Sequence, residues 1–286
     1  MNIPKIWFIE GIPGSGKTTT ARWLSTILMQ YGQLTELYLE GNLNHPVDLT
    51  YTAVLHDAQW HMLAQRFPEQ LPLLQTFVQS DASGHRLIPY GLISHIHHDF
   101  PETCMAFLSQ HDANYLSPEQ YCRIMLERWQ SFSKHALHSR TIYIFEGCLL
   151  HHPISFLLAR HNQSTTQIKD YILAMTQIMQ PHQPNLIYFH QEDPRTVLQQ
   201  ARSERSDSWW NQFVHQCTRQ AYGQAHKLAE EQGVYDYLKA QRSLEIELIS
   251  NWSIPTISIN YATYTPTMQQ MFQQQIEQTL RFTLLP

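Results

Sequence analysis

The sequence predicts an α/β fold: a five-stranded parallel sheet with helices on both faces and a helical insertion after the second strand. Three observations predict it. Short apolar runs bounded by turn residues recur at 5–9, 34–39, 141–145, 185–189 and 254–259. Segments of helical periodicity lie between them, which implies parallel strands joined by crossovers. The first run stops at a glycine-rich loop, and a helical stripe follows. On this reading the 286 residues form one domain, with a core of 1–50 and 138–286 and an insertion of 51–137.

The elements follow in order. KIWFI (5–9) is the first strand, and Ala21, Leu24, Ile27, Leu28 and Tyr31 share one helical face. Gly32 stands where a left-handed C-terminal cap is expected, and LTELYL (34–39) is a second strand ending at Glu40. The insertion reads as mainly helical, interrupted by Pro68, Pro72, Pro89 and Pro101. Its clearest helix opens on a capping box at Ser117, Pro118, Glu119 and Gln120, turning Tyr121, Met125, Trp129, Phe132 and Ala136 inward. TIYIF (141–145) is a strand ending at Glu146 and Gly147, and a second capping box at Ser164 opens a helix carrying Ile168, Tyr171, Ile172, Met175 and Ile178. NLIYF (185–189) precedes helix signals after Asp193 and Pro194, and IPTISI (254–259) precedes a terminal helix after Pro266.

Composition excludes several function classes. Apolar residues make up 43% of the chain, a globular profile, and charged residues only 15%. A net charge of -5 gives no broad basic face for nucleic acid or an anionic membrane. Cys104, Cys122, Cys148 and Cys217 show no CxxC spacing, so free thiols and a cytoplasmic location are expected. Neither a leader nor a membrane span is predicted, because Glu10 interrupts the first apolar run and Glu146, His151 and His152 interrupt the longest internal one.

The chemistry begins at Gly11, Ile12, Pro13, Gly14, Ser15, Gly16, Lys17 and Thr18, which fit the Walker A pattern of a P-loop. Glycines let backbone N–H groups turn inward onto phosphate oxygens, and the following helix N-terminus adds positive potential. Lys17 is placed to neutralise the β and γ phosphates, the Thr18 hydroxyl to ligate Mg2+, and Thr19 to reach a more distal phosphate. The cofactors expected are therefore ATP and Mg2+. The loop alone does not separate a kinase from an ATPase or a switch.

FIEGIPGSGKTTTARWLSTIL resembles the opening of P-loop kinases of nucleosides and nucleotides, especially the thymidylate kinase group. That resemblance implies a P-loop NTPase three-layer sandwich, with a helical insertion after the second strand and an arginine-bearing lid after the fourth. Two features depart from it. The Asp-Arg pair common in that group near the end of the third strand is absent, FEGC (145–148) standing there, and Pro13 replaces an Asp of the thymidylate kinase loop. The Glu-Gly ending is similar to uridine kinase and phosphoribulokinase relatives, so the acceptor stays unassigned.

Glu40 and Glu146 each end an apolar run at the carboxyl edge of the expected sheet, where ligands of open α/β sheets bind. Deoxynucleoside kinases resemble this chain in using a Glu after the second strand as base. Glu40 is accordingly the candidate acceptor contact or base, and Glu146 the carboxylate on the Mg2+ side, the two roles being interchangeable; solvated strand ends are the plainer reading. Arg195, Arg202 and Arg205 follow the fourth strand, and the resemblance makes them a lid over the phosphates; a solvated basic face pairing with nearby acids is the alternative. His45, Asp48 and Arg128 are candidate acceptor contacts. The histidines show no zinc spacing. A DxxG string at 81–84 has no strand before it and no NKxD partner, which argues against a GTPase. The function expected is transfer of the γ-phosphoryl group to a small-molecule hydroxyl or phosphate, with an ATP-binding regulatory protein as the alternative. The partners expected are a nucleoside triphosphate and that acceptor, with no nucleic acid and no membrane, and a homodimer left open.

Overall fold

The computed structural model describes residues 4–260 together with Gln274 and Glu277. These residues hold eight strands: β1 (Ile6–Gly11), β2 (Thr35–Tyr38), β3 (Ala53–Leu55), β4 (Gln79–Ser80), β5 (Arg86–Ile88), β6 (Ile142–Glu146), β7 (Asn185–His190) and β8 (Thr256–Asn260). The chain divides into two compact units, one of Gly41–Phe132 and one made of the segments on either side.

The larger unit is built on a five-stranded, all-parallel sheet in the order β2-β6-β1-β7-β8, flanked by helices. β1 is central because its six residues are all buried, as a parallel strand covered on both faces must be. Side chains alternate across it. Trp7 and Ile9 pack with Leu24 and Leu28 of the Lys17–Gln30 helix and with Ile144, Ile187 and Phe189 of the neighbouring strands. Phe8, in register with Phe145 and stacked on its ring at 5.9 Å, lies on the opposite face. Glu10 shares that face.

All five expected strands are present, with ends moved by one or two residues. The capping boxes are present too. Ser117 Oγ accepts the Gln120 N–H at 3.2 Å, and Ser164 Oγ accepts that of Gln167 at 3.3 Å. The helix expected after Pro266 lies outside the described residues, apart from Gln274 and Glu277, which are helical.

The smaller unit departs from the expectation. It begins at Gly41 and ends at Phe132 rather than running from 51 to 137, and it is mainly helical, as expected, but also holds a small antiparallel sheet of β3, β5 and β4 that was not expected. Strands of two and three residues are too short to show alternation in a sequence. Ala53, Leu55 and Ile88 from this sheet pack with Leu63, Leu74, Ile93, Cys104 and Leu108 from the helices.

The DxxG string, expected to have no strand before it, follows the two-residue β4 directly and is the hairpin loop between β4 and β5; β4 is too short to show in the sequence. Gly84 takes a positive φ of 83°, which its lack of a side chain permits. Asp81 Oδ1 accepts the N–H groups of Ser83 and His85 at 2.9 and 2.8 Å, and Oδ2 meets His85 Nδ1 and Arg123 Nη1, both at 2.9 Å. The Asp81 side chain is only 2% exposed. Removing it strands several donors, so Asp81→Ala should cost about 3 kcal/mol in urea unfolding. A midpoint within experimental error of the parent chain's would contradict this structural role.

Candidate functional site

The loop after β1 is shaped by three positive φ angles, 148° at Gly11, 83° at Gly14 and 85° at Gly16. Side chains would not fit at two of them. A Cβ on Gly11 would lie 2.8 Å from the Phe189 carbonyl oxygen of β7, and one on Gly14 would lie 2.9 Å from Ala201 Cβ and 3.1 Å from the Val197 carbonyl oxygen. The Arg195–Glu204 helix thus packs directly on the loop. Ser15 N donates to the Ile12 carbonyl at 3.2 Å and closes the turn, Pro13 is buried, and Gly16 caps the Lys17–Gln30 helix. The first N–H groups of a helix have no intrahelical acceptor and carry partial positive charge. No acidic side chain occupies that first turn.

Lys17 adds a full charge. It is 4% exposed, and its ammonium folds back to donate to the Ile12 carbonyl at 3.2 Å. No carboxylate oxygen of the described residues lies within 4 Å of it. A buried ammonium facing only a carbonyl is an arrangement suited to an anion. The buried Ser15 hydroxyl beside it has no hydrogen-bond partner among the described residues.

Glu146, the last residue of β6, is 2% exposed and reaches the same loop. Its Oε1 accepts the Thr18 hydroxyl at 2.6 Å, and its Oε2 accepts the Glu40 N–H at 3.3 Å. The expected Mg2+-side pair is therefore in direct contact. Two oxygen donors of this kind fit Mg2+, which takes few protein ligands and completes its shell with phosphate and water. No group of three or more His, Cys, Asp and Glu residues suited to a metal occurs among the described residues.

Glu40 stands two residues beyond the end of β2, in a turn, and is exposed. Its Oε1 lies 3.8 Å from His152 Nε2. Partial burial of the carboxyl within this crowded edge raises its pKa, but the His152 hydrogen bond and the charge of Lys17 outweigh that and hold it well below the usual carboxylate range.

The remaining candidates are distributed differently. Arg195 pairs with Asp193 at 3.3 Å and lies over the Tyr235 ring, while Arg202 pairs with Glu231 at 3.4 Å and lies over Trp210. Arg205 lies over Trp209 at 4.3 Å, and its charge is felt at His151. Thr19 is exposed beside Thr18. His45, Asp48 and Arg128 belong to the smaller unit and line one cavity there.

The sequence assigns no role to three residues that the structure brings into this region. Glu10 is fully buried on β1, accepting the N–H groups of Leu149 at 2.7 Å and His151 at 3.0 Å. Burial pushes its carboxyl up to about 7, against those bonds and the charge of Lys17. The signal was present as a lone acid in an apolar strand beside the first loop glycine. His151 is buried as well, and burial, with Lys17, pushes its imidazole down to about 3, so it is neutral at pH 7. His152 approaches Glu40, and nothing in its spacing marked it.

The four cysteines are free, and no helix among the described residues is long and apolar enough to cross a membrane. No protein-family model matches the chain, and no curated protein matches it.

Glu10 provides a pH test. The folded chain keeps this proton up to pH of about 7, while an unfolded carboxyl releases it near 4.5. Between those values the folded state binds more protons, so stability falls as pH rises, by roughly 3 kcal/mol at ~1.4 kcal/mol per unit. Glu10→Gln has no such titration. Its stability relative to the parent chain should therefore improve by about that amount from pH 4.5 to pH 7.5, measured by urea unfolding. A difference that stays constant with pH would show that the carboxyl ionises normally.

Proposed function

We propose that this chain is a P-loop small-molecule kinase: an ATP- and Mg2+-dependent phosphotransferase that moves the γ-phosphoryl group to a hydroxyl or phosphate of a small acceptor. The single observation that carries the reading is the buried Lys17 ammonium, with no carboxylate of the described residues within 4 Å, beside the Thr18–Glu146 contact. The free thiols fit a reducing, cytoplasmic setting. On this reading the sheet and its helices are the three-layer sandwich of P-loop NTPases.

Phosphoryl transfer requires chiefly position and charge neutralisation. The loop N–H groups and Lys17 would bind the β and γ phosphates, and the Thr18 hydroxyl and Glu146 would hold Mg2+. Bound there, Mg2+ would supply charge neutralisation to the phosphates. The acceptor oxygen bonds to the γ phosphorus as the bond to the bridging oxygen breaks, ADP leaves, and the acceptor proton passes to Glu40. A carboxyl held below its usual range is a weak base but stays ionised, which suits orienting the acceptor hydroxyl and taking its proton late. Arg205 is the lid residue without a carboxylate within 4 Å among those described, and it is the candidate to stabilise charge on the transferring group.

A second reading, an ATP-binding regulatory protein, is favoured by the ion pairs that already engage Arg195 and Arg202. One experiment separates the two. ADP release should depend on one acceptor from a panel of nucleosides, nucleotides, aminoglycosides and sugars, with the product identified by mass. Lys17→Ala and Glu146→Gln should each lower that rate by about 10²-fold or more. ATP held without turnover across the whole panel would favour the regulatory reading.

A further inference from the structure

The Gly41–Phe132 unit contains a cavity of about 310 Å3. Part of its lining is fixed by tight turns. Asn42 Oδ1 accepts the Asn44 N–H at 3.0 Å, and Asp48 Oδ1 accepts the Thr50 N–H and hydroxyl at 2.9 and 2.8 Å. Another part is apolar, with Phe77, Leu87 and Leu92.

Arg128, from the Pro118–His138 helix, supplies a cation to this lining. A guanidinium has five N–H donors in a planar fork. Here Nη1 donates to Gln79 Oε1 at 2.9 Å and Nη2 to the His45 carbonyl at 3.2 Å, while Nε is buried with no hydrogen-bond partner among the described residues. No carboxylate oxygen of the described residues lies within 4 Å of Arg128, although the charge of Asp48 is felt from farther away. The other arginines of the unit differ. Arg86 is paired with Asp57 at 2.6 Å and Arg123 with Asp81 and Glu127 at 2.9 and 3.2 Å, while Arg66 is exposed.

A half-buried guanidinium whose Nε is withdrawn from water without a counter-ion within 4 Å is costly, and its fork matches carboxylate or phosphate oxygens. We propose that this cavity binds a small molecule with a compact anionic head, carboxylate or phosphate, on an apolar body. The head meets Arg128, and the body lies on Phe77, Leu87 and Leu92. The volume stands at the lower end of the range for ligand pockets, roughly 300–1,000 Å3, which suits a small metabolite rather than a nucleoside triphosphate. Asp48 in the same lining disfavours a polyanion for a second reason. The site stands independently of the reading of the P-loop.

The test uses the full chain carrying Lys17→Ala, which silences anion binding at the loop. Benzoate and phenyl phosphate are titrated by calorimetry, with benzyl alcohol as the neutral control. At least one anion should saturate a single site at least tenfold more tightly than the alcohol, and the tighter anion identifies the head group. Arg128→Met should weaken the anion at least tenfold and leave the alcohol unchanged. Thr76→Trp, at an exposed position of the lining, should block both probes without touching Arg128. If Arg128→Met loses its fold by circular dichroism, the Thr76→Trp variant decides. Anion binding unchanged by whichever of these variants folds, or no saturable anion binding up to about 10 mM, would overturn the proposal.

Discussion

The site in the larger unit depends on one electrostatic constraint: the Lys17 ammonium is buried against a carbonyl, with no carboxylate oxygen of the described residues within 4 Å, although its charge is felt at Glu10, Glu40 and Glu245. Burying an unneutralised cation is unfavourable unless the arrangement serves an anion. The neighbouring geometry has the same polarity. Three positive φ angles turn the loop, a helix starts directly after it with no acid in its first turn, and the Arg195–Glu204 helix packs onto Gly14. That contact relies on the missing side chain at Gly14, so the loop conformation and the seating of the following helix are specified together.

The alternation of β1 and the ends of its neighbours distribute the acids around this charge. Trp7 and Ile9 anchor one face on the Lys17–Gln30 helix, which turns Glu10 to the other face and into the backbone N–H groups of Leu149 and His151. Glu146 at the end of β6 holds both Thr18 and the backbone of Glu40. The three carboxylates therefore differ in state although they are close in the chain's architecture. Glu10 is pushed by burial toward keeping its proton, Glu40 is held ionised by its His152 hydrogen bond and by Lys17, and Glu146 is committed to a hydroxyl and an N–H. Environment rather than residue type sets what each can do.

Much of this was legible in the sequence, and the reasons are local. β1, β6 and β7 are nearly continuous apolar runs closed by turn signals, β2 and β8 are mixed runs between such signals, and the Ser117 and Ser164 boxes are short-range hydrogen-bond patterns that a sequence carries directly. The meeting of Thr18 with Glu146 followed from strand ends sharing one edge of a parallel sheet. The small sheet of Gly41–Phe132 was not legible, because β3, β4 and β5 are too short to show a period, and only β4 and β5 are joined by the Asp81 hairpin while β3 reaches β5 from far along the chain. Glu10 was visible only as an interruption, since its role depends on backbone donors about 140 positions away. The ion pairs of Arg195 and Arg202 likewise depend on Asp193 and Glu231, and the latter is remote in sequence.

The most direct measurement of the central claim is calorimetric titration of the magnesium complexes of ATP and ADP, and of adenosine, into the parent chain and into Lys17→Met. The account predicts saturable binding of both nucleotides, none of adenosine, and at least a tenfold weakening of the nucleotides by Lys17→Met. Equal affinity in the two chains, or no heat with ATP, would contradict it.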